Sequence, residues 1–289
     1  MTFELWCSLN GVLNVRPVAD GKIRRYPTEA HPRKRNGAAM LRADGQSGWC
    51  KAFDMGGITQ HWRADGREFS QLTEEEHNRI KALAEQERKE LEASRKEAAK
   101  RACAMLNAAV LAPHPYLARK GFPHHPGLVL NGELLIPMRD SRNYRCVLSA
   151  QRIAPDGAKL FVKGGQAAYA CFVLGGGDDL ILCEGYATAL SIMAALKSLY
   201  RQARVAVCFS AGNIPAVART LQAERKWGVA DHDTSKEKAG EVGMQQAGLR
   251  YLLPPEPGTD FNDWYSGTQD DACKRKAVMA LSALITEGA

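Results

Sequence analysis

The stretch 180–196, LILCEGYATALSIMAAL, decides the fold of the second half of this chain. A short apolar run of strand length ends at Glu184, and a mostly apolar segment of helical length follows it. The same alternation returns three times, in VAVCFSAGN (205–213), WGVADHD (227–233) and LRYLLPP (249–255), with helical segments between them. Strands that alternate with helices predict a parallel sheet flanked by helices, and we place this α/β domain at 176–268.

The regions before and after this domain differ from it in composition. ELLIPM (133–138) and YRCVLSAQRI (144–153) read as strands, which predicts a mixed α+β subdomain over 113–175. Residues 71–112 are rich in Glu, Lys, Arg and Ala, and TEEE at 73–76 fits a capping box, which predicts a charged linker helix. We expect a small basic N-terminal domain, β-rich or α+β, at 1–70 and a C-terminal helix at 269–289.

The composition narrows the class of protein. The 289 residues carry a formal net charge of +7, which agrees with a polyanionic partner. No apolar run approaches the roughly 18 residues of a membrane span, and the N-terminus lacks a signal-peptide pattern, so we expect a cytoplasmic protein that does not contact membranes. The eight cysteines form no C-x-x-C pair, which favours reduced, buried thiols over disulfides or a zinc site.

Acidic residues follow three of the predicted strands. Glu184 ends the first, Asp231 and Asp233 end the third, and Asp260 lies beyond the fourth. Functional groups of parallel sheets gather at the carboxyl ends of the strands. In an extended D-x-D both carboxylates can point the same way, and they repel each other unless a cation such as Mg²⁺ or Mn²⁺ lies between them. One D-x-D alone is equally typical of a solvated turn or a helix cap.

These motifs together resemble a known family. LILCEGYATALSIMAAL, VAVCFSAGN, VADHDTSKEKAGEVG (229–243) and TDFNDWY (259–265) are similar to the Toprim domain of phage- and plasmid-type primases, relatives of the bacterial replicative primase and of primase-helicases. PYLARKGF (115–122) and LSAQRIAPDGAKLFVKGG (148–165) resemble the segment before Toprim in those primases. The opening domain of that group resembles GKIRRYP (21–27) and GWCKAFDMGG (48–57).

The resemblance implies roles for single residues. It makes Glu184, Asp231 and Asp233 catalytic, with Glu184 as a general acid or base. It implies that Mg²⁺ or Mn²⁺ is bound by Glu184, Asp231, Asp233 and Asp260. It places the nucleotide or template near Arg152, Lys159, Lys163, Asn213, Lys238, Asn262 and Asp263. Arg152, Lys159 and Lys163, taken singly, could also be ordinary surface charges.

The N-terminal domain offers a second contact with nucleic acid. Bacterial replicative primases begin with a zinc ribbon, and this chain lacks that cysteine pattern. Template recognition would then depend on basic and aromatic residues, for which we name Arg24, Arg25, Lys51 and Trp49. Stacking of bases on Trp49, Phe53 or Trp62 fits single-strand binding, whereas a small core would claim at least two of these rings.

The resemblance therefore implies a DNA primase that makes short RNA primers on single-stranded DNA from ribonucleoside triphosphates, in a phage, plasmid or other mobile element. The chain has no Walker motif, so a helicase would act in trans. One alternative is a Toprim metal-dependent nuclease, since the same carboxylates serve strand cleavage. Another is a non-catalytic single-stranded-DNA-binding accessory protein of replication.

Overall fold

A computed structural model of the chain describes residues 1–54, 57–66, 74–235, 238–266 and 271–286. The chain forms two compact units, Met1–Leu91 and Glu92–Ala289. Thr73 of the predicted capping box, the side chains of 74–76 and the two ends of the predicted C-terminal helix lie outside what the structure describes. Among the described helices, none has the length and apolar character needed to cross a membrane.

The first unit is built on a small antiparallel sheet. Helix α1 (Phe3–Leu9) precedes four strands that pair in chain order. They are β1 (Arg24–Tyr26), β2 (Gly37–Leu41), β3 (Ser47–Ala52) and β4 (Thr59–Arg63). One face of this sheet packs against α1 and forms a core of Phe3, Cys7, Val12, Val15, Ala39, Cys50, Ala52 and Trp62.

A helix of 35 residues, α2 (Glu74–Ala108), follows. Its exposed side carries ion pairs at helical spacing, such as Arg88 with Glu85 and Lys100 with Glu97, each at 2.7 Å. The two units divide within this helix, between Leu91 and Glu92. Its last third is not solvated all round, because Ala98 and Ala102 pack in a small cluster with Ala150 and Val162.

The second unit contains one mixed sheet of ten strands. Four of them run parallel in the order β14-β13-β11-β12, and the others pair antiparallel. The ten are β5 (Val110–Ala112), β6 (Gly127–Leu130), β7 (Glu133–Asp140), β8 (Asn143–Ile153), β9 (Lys159–Phe161), β10 (Ala170–Gly175), β11 (Leu180–Cys183), β12 (Arg204–Val207), β13 (Lys226–Val229) and β14 (Arg250–Leu252).

Strand β10 joins what the sequence analysis treats as separate regions, 113–175 and 176–268. It pairs with β7 at its start and with β12 from Phe172 to Gly175, antiparallel in both cases. The two regions therefore share a single continuous sheet.

Helices cover both faces of the parallel strands. Side chains alternate along β11, so Ile181 and Cys183 face one core while Leu180 and Leu182 face another. The first core includes α4, α7 and α8, and the second includes α5 and α6. This arrangement confirms the predicted α/β fold. The helices of this unit are α3 (Pro115–Arg119), α4 (Tyr186–Ser198), α5 (Ile214–Thr220), α6 (Ala239–Gln246), α7 (Phe261–Ser266) and α8 (Asp271–Thr286).

Candidate active site

The acidic residues follow the carboxyl ends of neighbouring strands, at one edge of the sheet. Strands β11 and β13 are parallel neighbours, with Cys183 opposite Val229. Glu184 directly follows β11, and Asp231 comes two residues after the end of β13. The loop that follows β14, the next strand, carries Asp260. The register of the sheet therefore brings to one carboxyl edge the groups that the sequence places at three strand ends.

The electrostatics of Asp231 show how close these groups lie. Burial first, and then the negative charges of Glu184, Asp260 and Asp233, together raise the pKa of Asp231 to about 7, while the cation of Lys159 lowers it. Its Oδ1 is buried and, among the described residues, accepts no hydrogen bond. An unpaired carboxylate oxygen in a buried position is costly unless a cation or a proton compensates it.

Glu184 belongs to the same group. Its pKa is raised by burial and then by the charge of Asp233, while the backbone N–H of Ala211 donates to the carboxylate and lowers the pKa. Lys159 lowers it as well. Glu184, Asp231, Asp233 and Asp260, here named the acidic centre, thus lie within electrostatic range of one another.

The acidic centre suits a divalent cation. In the described part of the chain, no three His, Cys, Asp or Glu side chains are arranged as a complete metal-binding cluster. Mg²⁺ seldom needs one, because it is commonly bound through one or two carboxylates together with water and substrate phosphate. The unpartnered Oδ1 of Asp231 and the mutual repulsion of the carboxylates fit such an ion.

The residue between the two aspartates secures their loop. His232 Nδ1 lies 2.8 Å from the carbonyl oxygen of Pro254, so the ring turns away to the loop that follows β14. The backbone N–H of His232 donates to Thr259 O at 3.0 Å. These bonds tie the end of β13 to the loop that carries Asp260.

Helix α6 approaches the acidic centre through two glycines that the sequence analysis did not select. The backbone N–H of Gly240 donates to Asp233 Oδ2 at 2.9 Å. A Cβ on Gly240 would lie 2.6 Å from Asp231 O, and a Cβ on Gly243 would lie 2.6 Å from Ala211 O. Only glycine permits both approaches. The spacing of the two glycines within one predicted helix is the sequence signal that could have indicated this close approach.

The motif 260–263 supplies one member of the acidic centre and two structural residues. Asp260 and Asp263 cap each other, with N–H to carboxylate distances of 3.1 and 2.9 Å. Asp263 also accepts from Lys120 Nζ at 3.0 Å. Asn262 is 1% exposed and donates to Lys120 O and Ser191 Oγ. The amide N–H groups of Asn262 are therefore used within the fold, and its contact with a nucleotide or template stays a prediction.

The side chain of Asn213 likewise makes its hydrogen bonds within the fold. Its Oδ1 accepts from Tyr169 N at 2.8 Å, and its Nδ2 donates to Ala170 O at 2.8 Å and to Cys208 O at 2.9 Å. These bonds hold the start of β10 against the end of β12. In this arrangement the side chain joins two strands, and the predicted contact with a nucleotide has no donor left.

The structure brings together only part of the predicted basic set. Lys159 lies near Glu184 and Asp231. Arg152 pairs with Leu160 across β8 and β9, so it points to the opposite face of the sheet from Lys159. There its guanidinium forms a bidentate ion pair with Glu133, at 2.7 and 2.9 Å.

Lys163 and Lys238 lie on the surface of the second unit. The Lys163 side chain is exposed, and its carbonyl oxygen accepts from Arg101 at 2.7 Å. Lys238 precedes α6 in a left-handed backbone conformation with φ of 42°. Its Nζ pairs with Glu241 at 3.2 Å.

A cavity of about 370 Å³ adjoins the acidic centre. It is lined both by cations and by the capped pair of aspartates. Its lining includes Tyr116, Arg119, Lys120, Lys159, Asp260 and Asp263. Arg119 and Lys120 are not among the predicted site residues, although the segment PYLARKGF contains both. A larger cavity of about 610 Å³ is mostly apolar, and no member of the acidic centre lines it.

In the first unit, three of the four predicted contact residues share a face. Antiparallel pairing aligns Arg25, Ala38 and Lys51, and Trp49 lies on the same face two residues before Lys51. The Arg25 guanidinium lies 4.4 Å and the Lys51 ammonium 5.4 Å from the centre of the exposed Phe53 ring.

Arg24 and Trp62 differ from that group. Arg24 points to the opposite face and binds both oxygens of Asp20 at 2.7 Å. Trp62 is part of the core at 9% exposure, so base stacking on Trp62 is wrong for this fold.

No family model matches the chain. The primase fragment of the bacteriophage T7 primase-helicase protein is similar at 15% identity over 58% of this chain and 68% of that one, with a TM-score of 0.37. A bacteriophage T7 structure of lagging-strand DNA polymerase interacting with primase domains bound to an RNA/DNA hybrid and dTTP matches at 15% identity. That match covers 61% of this chain and 89% of the other, with a TM-score of 0.39. At scores this low, neither likeness establishes a family or an activity.

Proposed function

We propose that this protein is a DNA primase that makes short RNA primers on single-stranded DNA by metal-dependent nucleotidyl transfer. The observation that carries the proposal is the acidic centre, where half-buried carboxylates lie within electrostatic range of one another and Oδ1 of Asp231 has no hydrogen-bond partner among the described residues. The choice of primer synthesis rests on the Toprim-like motifs of the sequence. Ribonucleoside triphosphates are the substrates, and a helicase of the same phage, plasmid or other mobile element acts in trans.

Each group of the site has a distinct part in this reaction. Asp231, Asp233, Asp260 and Glu184 would hold Mg²⁺ or Mn²⁺, which would supply neutralisation of phosphate charge and a lower pKa of the attacking 3′-hydroxyl. The raised pKa of Glu184 favours its accepting and returning a proton. Lys159 and the other cations of the adjoining cavity orient the triphosphate by their charge.

Two rivals use the same residues differently. A Toprim nuclease would cleave the strand with this acidic centre, because the same charge stabilisation serves hydrolysis. A non-catalytic accessory protein would bind single-stranded DNA through its basic residues alone. Buried carboxylates that repel phosphate speak against the accessory role, since they weaken DNA binding unless a cation is present.

One assay separates the three functions. The protein is incubated with single-stranded template, Mg²⁺ or Mn²⁺ and labelled ribonucleotides, beside Glu184→Gln and Asp231→Asn. The matched control is Glu224→Gln, the same chemical change at an exposed position before β13. We expect short products from the wild type and the control, and a loss of at least about a hundredfold in both site variants.

The other outcomes are equally informative. Degradation of the template that depends on Glu184 and Asp231 supports the nuclease. Binding without synthesis or cleavage supports the accessory protein. Equal primer yields from wild type and both site variants would show that the acidic centre is misassigned.

A further inference from the structure

Strand β9 carries an aromatic side chain toward the acidic centre. In the described sheet, β9 pairs with β8 alone, which leaves its other side open. Lys159 and Phe161 lie on one face of β9, and Leu160 lies on the other face with Arg152. Since Lys159 acts on the charges of Glu184 and Asp231, this face of β9 is the one that borders the acidic centre.

Phe161 is held in place by a second aromatic ring. The Phe161 and Phe209 rings lie edge to face, with centroids 6.3 Å apart. Phe209 is 7% exposed and donates its backbone N–H to Glu184 O at 3.0 Å. Its φ of 64° is unusual for a bulky residue, and such conformations cluster at functional sites. Phe161 is thus linked to the main chain of Glu184 through one residue.

Packing on Phe209 does not use all of the Phe161 ring. The side chain is 39% exposed, although an aromatic ring at a strand edge gains free energy from full burial. Exposed Lys163 follows it two residues later, and Arg101 anchors the Lys163 carbonyl oxygen. An exposed ring flanked in sequence by Lys159 and Lys163 matches the chemistry of single-stranded nucleic acid, in which bases stack on aromatic faces and phosphates pair with cations.

We propose that Phe161 is a stacking platform for a base of single-stranded nucleic acid at the acidic centre. The proposal deepens the primase function and rests on it for the identity of the strand as template or primer. A strand fits better than a free nucleotide because the ring stands at an open sheet edge, and the cation-lined cavity does not include it. Stacking there would hold the strand beside Glu184 without reading its sequence.

The test measures binding without catalysis. A fluorescein-labelled thymidine oligomer is titrated with the full chain in Mg²⁺ and without ribonucleoside triphosphates, and its anisotropy is followed for wild type, Phe161→Ala, Phe161→Leu and Phe161→Trp. Leu160→Ala is the matched control, since Leu160 is a neighbouring apolar side chain of 63% exposure on the other face. Circular dichroism verifies the fold of each variant.

We expect Phe161→Ala and Phe161→Leu to weaken binding about tenfold, the order of effect expected from losing one stacked base. Leu160→Ala should stay within about twofold of wild type. Phe161→Trp should keep its affinity, and its added tryptophan emission should be quenched by the oligomer. Quenching by ribonucleoside triphosphates but not by the oligomer would overturn the proposal in favour of a nucleotide site.

Failure of the platform can be told from failure of the primase function. If Phe161→Ala binds the oligomer like wild type while primer synthesis still depends on Glu184, the stacking proposal is wrong and the primase function is retained. If the oligomer quenches Phe161→Trp but no primers form, the platform stands as a binding site and the primase function falls. If wild type does not bind the oligomer, the platform is wrong.

Discussion

At the scale of the residue, Asp231 makes stability depend on pH. Burial raises its pKa from 3.8 to about 7, so the folded chain retains a proton that the unfolded chain has already lost between these values. The free energy of unfolding therefore falls as pH rises through that window. Each unit of pKa corresponds to about 1.4 kcal/mol, so the loss amounts to a few kcal/mol at most.

We predict that Asp231→Asn melts at a higher temperature than wild type at mildly alkaline pH in a chelator, and that the difference shrinks in acid. The amide has the size of the carboxylate but cannot ionise. Thermal denaturation across the pH range measures the effect, with Glu224→Gln as the control. A difference in melting temperature between variant and wild type that is the same at every pH would contradict the prediction that the buried charge of Asp231 destabilises the fold.

The sequence predicts single residues well where strand alternation and strand ends decide their place. Glu184 and Asp231 follow apolar strands, so their meeting at one edge could be expected. Arg152 could not be placed in this way, because its direction depends on the register of β8 with β9. Asn213 looked like a ligand, yet its amide bonds to the backbone of nearby Cys208 and of the distant residues Tyr169 and Ala170.

At the scale of the element, helix α6 sets the geometry of the acidic centre. Gly240 and Gly243 let its backbone touch Asp231 O and Ala211 O. We predict that Gly240→Ala and Gly243→Ala each lower stability by about 1 to 3 kcal/mol, since a methyl group must push backbone away. Gly212→Ala is the matched control, because its Cβ would meet nothing within 4 Å.

Gly243→Ala should also change the pH profile of activity. Moving Ala211 removes the N–H that lowers the pKa of Glu184, so that pKa rises and the acidic limb of the profile moves to higher pH. A purely structural defect would lower activity at every pH without moving the limb. Rates measured over pH, beside thermal denaturation, distinguish the two results.

The order of strands and helices in the second unit follows from sequence periodicity, but the pairing of its strands into one sheet does not. Strand β10 reads as a short apolar run, and nothing local reveals that it pairs with β7 and β12. Pairing partners depend on the rest of the sheet. The boundary drawn before residue 176 therefore cuts through a continuous structure.

At the scale of the whole molecule, each unit has a core of its own. We predict two calorimetric transitions, since small cores unfold cooperatively one by one. Trp62→Ala should lower the free energy of unfolding of the first unit by about 3 to 5 kcal/mol, and it should shift only the transition of that unit. Leu182→Ala, in the core of the second unit, should shift the other. A single transition that both variants move equally would refute this independence.

The three-residue strands β5, β9 and β14 have a consequence for the behaviour of the protein in concentrated solution. Each lies at a margin of the ten-stranded sheet. A margin this short offers a foreign strand few unpaired amide and carbonyl groups, and so gives amyloid-like, edge-to-edge polymerisation little to extend. Where the described sheet ends in one of these three strands, it therefore presents no long template for such growth.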